Sequence, residues 1–240
     1  MELSKHDEHF ERLVEELCDP KQLAAYKDKY DGHPTAFVPR MLGSMLVKLG
    51  NIVYGHEPSY LKFRAVEVIA RVPYHSWASA AFTLLTFGYT DEQRALNLST
   101  ISAFSRLAAD NETMHVIVIS QLAAREARAG FFRHTLIPML FAFFYFWASY
   151  ILYLLNARWS LELNYLFEQH AFDQYSLFLD THEDELKRKG VLSEYLDWYG
   201  REPRSQYEFF RTVRNDELIH RNQSIHEIEL HCRKETDESI

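Results

Sequence analysis

The sequence predicts an all-α protein built around a four-helix bundle, and three observations lead to this prediction. Apolar residues recur with helical spacing along nearly the whole chain, whereas the alternation typical of half-buried strands is found nowhere. Gly contributes 8 and Pro 7 of the 240 residues, which favours long helices over a turn-rich β fold. A chain of this length can also bury the core of one helical domain.

The individual helices are predicted from the caps and breaks that separate them. An amphipathic helix reaches about residue 29, and an Asp-Gly-His-Pro break at 31–34 follows it. The later helices are expected at about 38–53, through Glu67 to 87, 92–128, 133–156, 159–188, a short Tyr/Trp-rich segment, and 205–231. We predict one domain over residues 1–240, with an N-terminal arm (1–34), a bundle core (35–231) and a tail (232–240).

Composition excludes some classes of function. The formal charge of -8 argues against a nucleic-acid partner, whose phosphates would require a basic surface. Cys18 and Cys232 are far apart and lack metal-ligand spacing, which indicates a reducing compartment, although a regulatory or inter-subunit role for Cys18 stays open. The charged N-terminus resembles neither a signal nor a transit peptide, so either the protein is made where it works or a leader has been removed.

Two Glu-x-x-His segments carry the main chemical signal. Glu112 precedes His115, and Glu217 precedes His220, by three residues. Residues three apart on a helix share a face, with roughly 5–6 Å between their Cβ atoms, so each pair can bind one metal ion. One such pair by itself is weak evidence, because exposed helix faces produce it by chance.

Two further glutamates lie in apolar surroundings on other predicted helices. Glu67 stands in Ala-Val-Glu-Val-Ile-Ala, and Glu168 ends Tyr-Leu-Phe-Glu. Burying an unpaired carboxylate is costly, so each position favours a nearby cation. Taken alone, Glu67 could pair with Arg64 or Arg71, and Glu168 could belong to a neighbouring polar network.

The order of these residues changes the interpretation. Glu, Glu-x-x-His, Glu and Glu-x-x-His follow one another with gaps of 45, 56 and 49 residues, each long enough for a helix and its return. This is the ligand set of di-iron and di-manganese bundle proteins, and carboxylate with imidazole donors suits iron. We therefore predict a ferritin-like bundle that binds two non-haem iron ions. The predicted ligands are Glu67, Glu112, His115, Glu168, Glu217 and His220. His170 is left out, because its position two residues after Glu168 places it on another face.

Four segments resemble the alternative oxidase family, and more closely its plastid terminal oxidase branch. They are residues 66–74 (Val-Glu-Val-Ile-Ala-Arg-Val-Pro-Tyr), 111–115, 168–175 and 214–220, within a similarity that spans about 35–230 and includes all six ligand positions. The resemblance implies a quinol:oxygen oxidoreductase that reduces O2 to water without pumping protons. It also implies a homodimer bound to one membrane leaflet.

The resemblance implies further roles around the metal ions. Tyr175 lies two helical turns after Glu168 on the same face, and by resemblance it is the redox-active tyrosine. The alternative is a core tyrosine with a satisfied hydroxyl. Asn111 and Asp216, each just before a ligand glutamate, are expected to support the ligand histidines.

The expected quinol pocket contains Lys62, Arg71 and Gln174. Two of these positions depart from the family pattern, because arginine is usual at Lys62 and threonine at Gln174. Plastoquinol and ubiquinol therefore both remain open as substrates.

Membrane contact is predicted from an apolar segment. Residues 134–157 contain no Lys, Arg, Asp or Glu, a length that would permit a transmembrane helix. A full crossing would, however, separate Glu112 from Glu168 across the bilayer. We therefore favour a helix that lies in one leaflet together with the apolar face of residues 38–53, with the bundle facing the cytoplasm. The protein would lie at the plasma or thylakoid membrane of a prokaryote or be encoded by a virus, or it would lie at an organelle membrane if a transit peptide was removed.

Two other classes of function remain open. A di-iron hydroxylase of quinone biosynthesis would use the same ligands on a different substrate. A helical, membrane-associated scaffold would carry the acid and histidine spacing by accident.

Overall fold

A computed structural model describes residues 8–237, with side chains described as far as residue 230. Residues 1–7 of the predicted arm, residues 238–240 of the predicted tail and the Cys232 side chain lie outside it. In the described range the chain is helical and contains no strand, so the predicted fold class is confirmed. The α-helices are α1 (Glu8–Glu16), α2 (Pro20–Asp28), α3 (Phe37–Tyr54), α4 (Tyr60–Ala70), α5 (Val72–Gly88), α6 (Glu92–Glu126), α7 (Ile137–Leu155), α8 (Ala157–Arg188), α9 (Glu194–Tyr199) and α10 (Gln206–Asp237).

The N-terminal segment forms two helices where the sequence predicted one. Asp19 caps α2 by accepting hydrogen bonds from the backbone N–H groups of Lys21 and Gln22, both at 3.0 Å. Pro20 follows at the first helical position, where its missing N–H would have no partner in any case. A cap followed by proline starts a new helix, and this signal inside the amphipathic pattern was missed.

The predicted helix through Glu67 is also divided. Arg71 ends α4 and begins α5, with Pro73 inside the first turn of α5. Proline lacks the N–H for a helical hydrogen bond, and its ring clashes with the preceding turn. Arg71 keeps right-handed helical angles, with φ of -67° and ψ of -15°, and Glu67 lies on α4, one turn before the division.

The other helices begin and end close to their predicted positions. Asp91 caps α6 by accepting from the Arg94 N–H at 3.0 Å, and Asn156 caps α8 by accepting from the Trp159 N–H at 2.9 Å. A π-helical turn, Phe132–Leu136, precedes α7 and shortens the predicted apolar helix. These local signals were readable because a cap acts within one turn of its own helix.

Four helices form the bundle around the predicted ligands. Helix α8 packs along α10, and both α4 and α5 pack along α6. Helices α3 and α7 pack on the outside, α3 against α8 and α7 against α5, α4 and α8. Two clusters of buried apolar side chains fill the bundle, one around Trp77 and the other around Phe178.

The outer helices expose apolar side chains. On α3 these occur at helical spacing, from Phe37 through Met41, Met45 and Leu49 to Ile52. Residues Phe132–Leu155 form a helix long and apolar enough to cross a membrane, and only 11% of its most apolar window is buried. Helix α7 nevertheless lies alongside the bundle, where the Ser149 hydroxyl is 2.8 Å from that of Ser76 on α5.

Candidate metal centre

All six predicted ligand side chains converge inside the bundle. Each is buried, although each is acidic or basic and together they come from four different helices. Helix α4 supplies Glu67, α6 supplies Glu112 and His115, α8 supplies Glu168, and α10 supplies Glu217 and His220. The three-residue spacing on α6 and α10 directs each glutamate and its histidine to the same interior face.

The six side chains form two overlapping groups. In each group, one donor atom per residue lies within 4.8 Å of the donors of the other members. Glu112 and Glu217 belong to both groups. Glu67 and His115 complete the first group, and Glu168 and His220 complete the second. Two carboxylates shared between two terminal sets are the arrangement expected for a pair of bridged metal ions.

Unsatisfied polar atoms test whether a metal pair fits this cluster. Several donor atoms of the cluster are buried without a hydrogen-bond partner. They are both carboxylate oxygens of Glu112 and of Glu217, both nitrogens of His220, Nδ1 of His115 and Oε2 of Glu67. Buried polar atoms are otherwise almost always paired, and each unpaired one costs about 1–3 kcal/mol. These atoms point at one another across the cluster, so cations between them would supply the missing partners. The buried oxygen and imidazole donors fit iron.

The charges of the cluster lead to the same conclusion. Burial and the nearby Glu112 carboxylate raise the pKa of Glu67 to about 7. Burial, Glu112 and Glu168 raise the pKa of Glu217 well above its ordinary value. Burial also acts to raise the pKa of Glu112, but the imidazoles of His115 and His220 outweigh it and the pKa falls. Glutamates that raise each other's pKa resist ionising together, and a bound cation would favour their charged forms.

The His115 ring is held from its outer side. Its Nε2 lies 2.9 Å from Oδ2 of Asp216, while Nδ1 faces the carboxylates of the cluster. Asn111 donates to the same Asp216 oxygen at 3.2 Å. Asp216 therefore lies against a ligand histidine, whereas Asn111 reaches that histidine only through Asp216. Burial acts to raise the pKa of Asp216, but the Arg201 charge and the hydrogen bonds it receives lower that pKa to about 2.

The Glu168 carboxylate has support that the sequence reading missed. The Tyr74 hydroxyl donates to Oε1 of Glu168 at 2.6 Å, and the Asn164 amide donates to the same oxygen at 3.1 Å. Asn164 also donates to the hydroxyl of Ser224 at 3.2 Å. The sequence contained a signal for both residues, because spacings of seven and four residues place Tyr74 on the face of Glu67 and Asn164 on the face of Glu168.

Tyr175 lies directly beside the cluster. Its hydroxyl makes a short hydrogen bond to Oε1 of Glu67, and its ring stacks on Phe63 with the ring centroids 4.1 Å apart. Burial and the Glu67 and Glu217 carboxylates raise the pKa of Tyr175 well above its ordinary value. The phenol therefore keeps its proton while it contacts a predicted ligand.

A cavity of about 320 Å³ reaches the cluster from the side of α3 and α7. Its lining is mostly apolar and ends at Glu67, Glu168 and Tyr175. Apolar cavities with a few polar groups are typical of small-molecule sites, and this one borders the buried tyrosine.

Lys62 and Gln174 line this cavity, as expected for the predicted quinol pocket, but Arg71 is not among the lining residues. The Lys62 ammonium donates to Oε1 of Gln174 at 2.8 Å, to Oδ1 of Asn51 at 3.1 Å and to the His56 carbonyl at 2.9 Å. Arg71 instead stands at the junction of α4 and α5. A role of Arg71 in quinol binding stays a prediction from the family resemblance.

His170 was left out of the predicted ligands, and it belongs to neither group of clustered donors. It lies among the residues that line the cavity, together with Glu168 and Gln174. Residues two apart lie on different sides of a helix, as the sequence reading assumed.

Comparisons with known proteins were consistent with this geometry. The sequence model of the family described as "Alternative oxidase" matches residues 35–229. "Ubiquinol oxidase 4, chloroplastic/chromoplastic" from Arabidopsis thaliana is 24% identical over 199 residues, which cover 75% of this chain and 54% of that protein. The chain thus spans about half the length of this relative. No solved structure matches significantly.

Proposed function

The chain belongs to the alternative oxidase family, and from this premise we propose that it is a membrane-bound quinol oxidase. Two quinol molecules would be oxidised to quinones for each O2 reduced to two molecules of water, without proton pumping. The observation that carries the proposal is the buried cluster of four glutamates and two histidines, beside which an apolar cavity ends. The relative from Arabidopsis is named for the same type of reaction.

Two iron ions would be held by the six clustered side chains, with Glu112 and Glu217 shared between them. When bound, the iron pair supplies the electron transfer to O2, as metal cofactors do in redox enzymes generally. The protein orients the ligands and excludes water from them. Its buried cluster and the apolar helices around it provide that exclusion.

Tyr175 and Glu67 provide a path for one proton. We infer that during O2 reduction Tyr175 would give one electron to O2 and one proton to Oε1 of Glu67, to which the phenol is already hydrogen-bonded, and that quinol would restore both. Transfer along an existing hydrogen bond needs no rearrangement of either side chain. The Phe63 ring, stacked on Tyr175, keeps the phenol in place.

The cavity beside α3 and α7 would bind the quinol. Lys62 and Gln174 lie at its polar part and can hydrogen-bond a quinol oxygen, while the apolar walls accept the ring and tail. Burial lowers the pKa of Lys62, and in its described contacts the ammonium donates only to uncharged acceptors. Such an ammonium would favour a ligand oxygen that becomes more negative during oxidation. Ubiquinol and plastoquinol both present such oxygens.

The exposed apolar faces of α3 and α7 would lie in one membrane leaflet. Both helices line the cavity, so this placement would let a quinol enter from the lipid without crossing water. A crossing helix at α7 would have to leave the bundle, yet α7 packs along α5. The arrangement therefore favours a helix in the interface over a span.

A homodimer is proposed from the family resemblance, and α5 offers a surface for it. Phe82 and Phe87 on this helix are 72% and 85% exposed. Light scattering of the purified protein in detergent would give the oligomeric state, and a monomer would remove the dimer from the proposal.

Oxygen uptake by the purified, iron-loaded protein tests the function. We expect uptake with ubiquinol or plastoquinol that resists cyanide, with quinone and water as products. Glu112→Gln should abolish uptake and iron binding, whereas Asp110→Asn, an exposed acid on the same helix, should change neither.

The other outcomes separate the competing functions. A hydroxylated quinone would indicate a hydroxylase of quinone biosynthesis with the same ligands. Iron far below two ions per chain, and equal in the wild type and Glu112→Gln, would indicate a non-enzymatic scaffold.

A further inference from the structure

Helix α1 contacts the metal centre although it lies outside the residues that match the family. The match covers 35–229, whereas α1 spans Glu8–Glu16. Its Phe10 ring stacks on the His220 imidazole, with centroids 6.0 Å apart and planes inclined by 27°. One predicted ligand is thus contacted directly by the N-terminal helix.

The other ligand imidazole is reached through a chain of charged side chains. Glu11 accepts from Nε and Nη2 of Arg201 at 2.8 and 3.0 Å. Arg201 donates through Nη1 and Nη2 to the two carboxylate oxygens of Asp216, at 2.5 and 2.8 Å. Asp216 in turn contacts Nε2 of His115 at 2.9 Å. The planar guanidinium therefore forms hydrogen bonds along two of its edges, and rotation of its plane would break the bonds to both Glu11 and Asp216.

The side chains of this hydrogen-bonded series come from segments far apart in sequence. Arg201 follows Gly200, whose φ of 93° is a conformation that glycine adopts easily and that ends α9. Arg201 is only 7% exposed and Asp216 is fully buried. Helix α1 is itself fixed on α10, where Val14 packs in one cluster with Ile219 and its carbonyl accepts from the Asn215 amide at 3.0 Å.

We propose that α1 is a positioning element of the metal centre, in which Glu11 fixes Arg201, Arg201 fixes Asp216, and Asp216 sets the orientation of His115. A histidine that binds a metal through Nδ1 has to keep its proton on Nε2, and a carboxylate at Nε2 favours that tautomer and ring angle. This inference rests on the proposed function, because it assumes that His115 binds iron. Glu11 and Arg201 are positioning residues and touch neither substrate nor metal.

Iron release from the full-length protein tests the inference. Glu11→Gln keeps the size of the side chain and removes its charge, and Glu15→Gln on the exposed side of the same helix is the matched control. Release to a chelator is followed well below the melting temperature, together with the electron paramagnetic resonance spectrum of the half-reduced iron pair. We expect release about 10-fold faster in Glu11→Gln than in Glu15→Gln, with an altered spectrum. Arg201→Lys should speed iron release more than Glu11→Gln does, because lysine cannot hydrogen-bond both carboxylates in one plane.

The readouts distinguish positioning from stability alone. Equal release rates and identical spectra in Glu11→Gln and Glu15→Gln overturn the inference, even if Glu11→Gln melts at a lower temperature. Glu11→Asp is measured in parallel, since it retains the charge and favours folding but is too short to make both bonds to Arg201. Its iron-release rate should lie between those of Glu11→Gln and Glu15→Gln. A wild-type protein that binds no iron overturns the proposed function itself, which separates that failure from a failure of this inference.

Discussion

Replacing Tyr175 by phenylalanine would separate a redox role of its hydroxyl from a packing role of its ring. The ring would remain stacked on Phe63, at a centroid distance of 4.1 Å in the wild type, so the core would stay filled. The substitution removes one hydrogen bond to the buried Glu67 carboxylate, which is worth about 1.5–3 kcal/mol. In a protein of this size we expect the melting temperature to fall by about 3–12 °C.

The effect on turnover should be much larger than the effect on stability. A proton transfer by a positioned side chain contributes about 10²–10⁴-fold to rate, so oxygen uptake should fall by about that factor. Iron content should stay near two ions per chain, because Tyr175 is not among the clustered ligands. The assays are oxygen uptake with a quinol, iron analysis and thermal unfolding.

Tyr165→Phe is the matched control for this experiment. Tyr165 lies on the same helix, is buried, and donates its hydroxyl to the Tyr30 carbonyl at 2.9 Å. We expect it to lose stability but not turnover. Uptake in Tyr175→Phe equal to that in Tyr165→Phe would refute the reasoning and leave Tyr175 as a core tyrosine.

Three further predictions concern the surroundings of the metal centre. Tyr74→Phe removes a donor to Glu168 and should weaken iron binding about 10-fold, as measured by competition with a chelator; unchanged affinity would contradict the support assigned to Tyr74. Lys62→Met should raise the KM for quinol about 10-fold with little change in kcat, and a fall in kcat alone would place Lys62 outside quinol binding. The control is Lys48→Met on the exposed side of α3, which should alter neither constant. The folded-state pKa of Asp216 is lowered from 3.8 to about 2, so its contribution to stability is present above pH 4 and is lost as the pH falls through 2. Acid unfolding of the iron-free Asp216→Asn variant should therefore lack this part of the pH dependence, and acid limbs that coincide with those of the wild type would contradict the pairing with Arg201.

Local signals in the sequence predicted much of the fold. Asp91 and Asn156 cap their helices as ordinary side-chain acceptors, and these effects act within one turn. Pro73 shows the limit of such reading, because a short apolar run on each side of it looked like one helix. The division at Arg71 is local, since α4 and α5 both pack against α6 and α7.

The residues of the buried cluster were predictable because their spacing follows the helical period. A glutamate and a histidine three residues apart share a helix face wherever the helix lies, so Glu112 with His115 could be nominated without coordinates. Arg201 carries no such signal, since it follows a turn at Gly200 and has no periodic relation to His115. The lining of the cavity could not be predicted in this way either, because closeness along the chain does not determine which side chains line a cavity.

The sequence by itself determined the helices, the spacing of the acids and histidines, and the apolar faces of α3 and α7. These properties depend on contacts within a few turns of one helix, where backbone geometry fixes which side chains are neighbours. Only the tertiary structure decided that Glu112 and Glu217 are shared between two groups, that a cavity reaches Tyr175, and that α1 supports the centre. Those properties depend on how separate helices pack, and a sequence pattern contains no distance between residues on different helices.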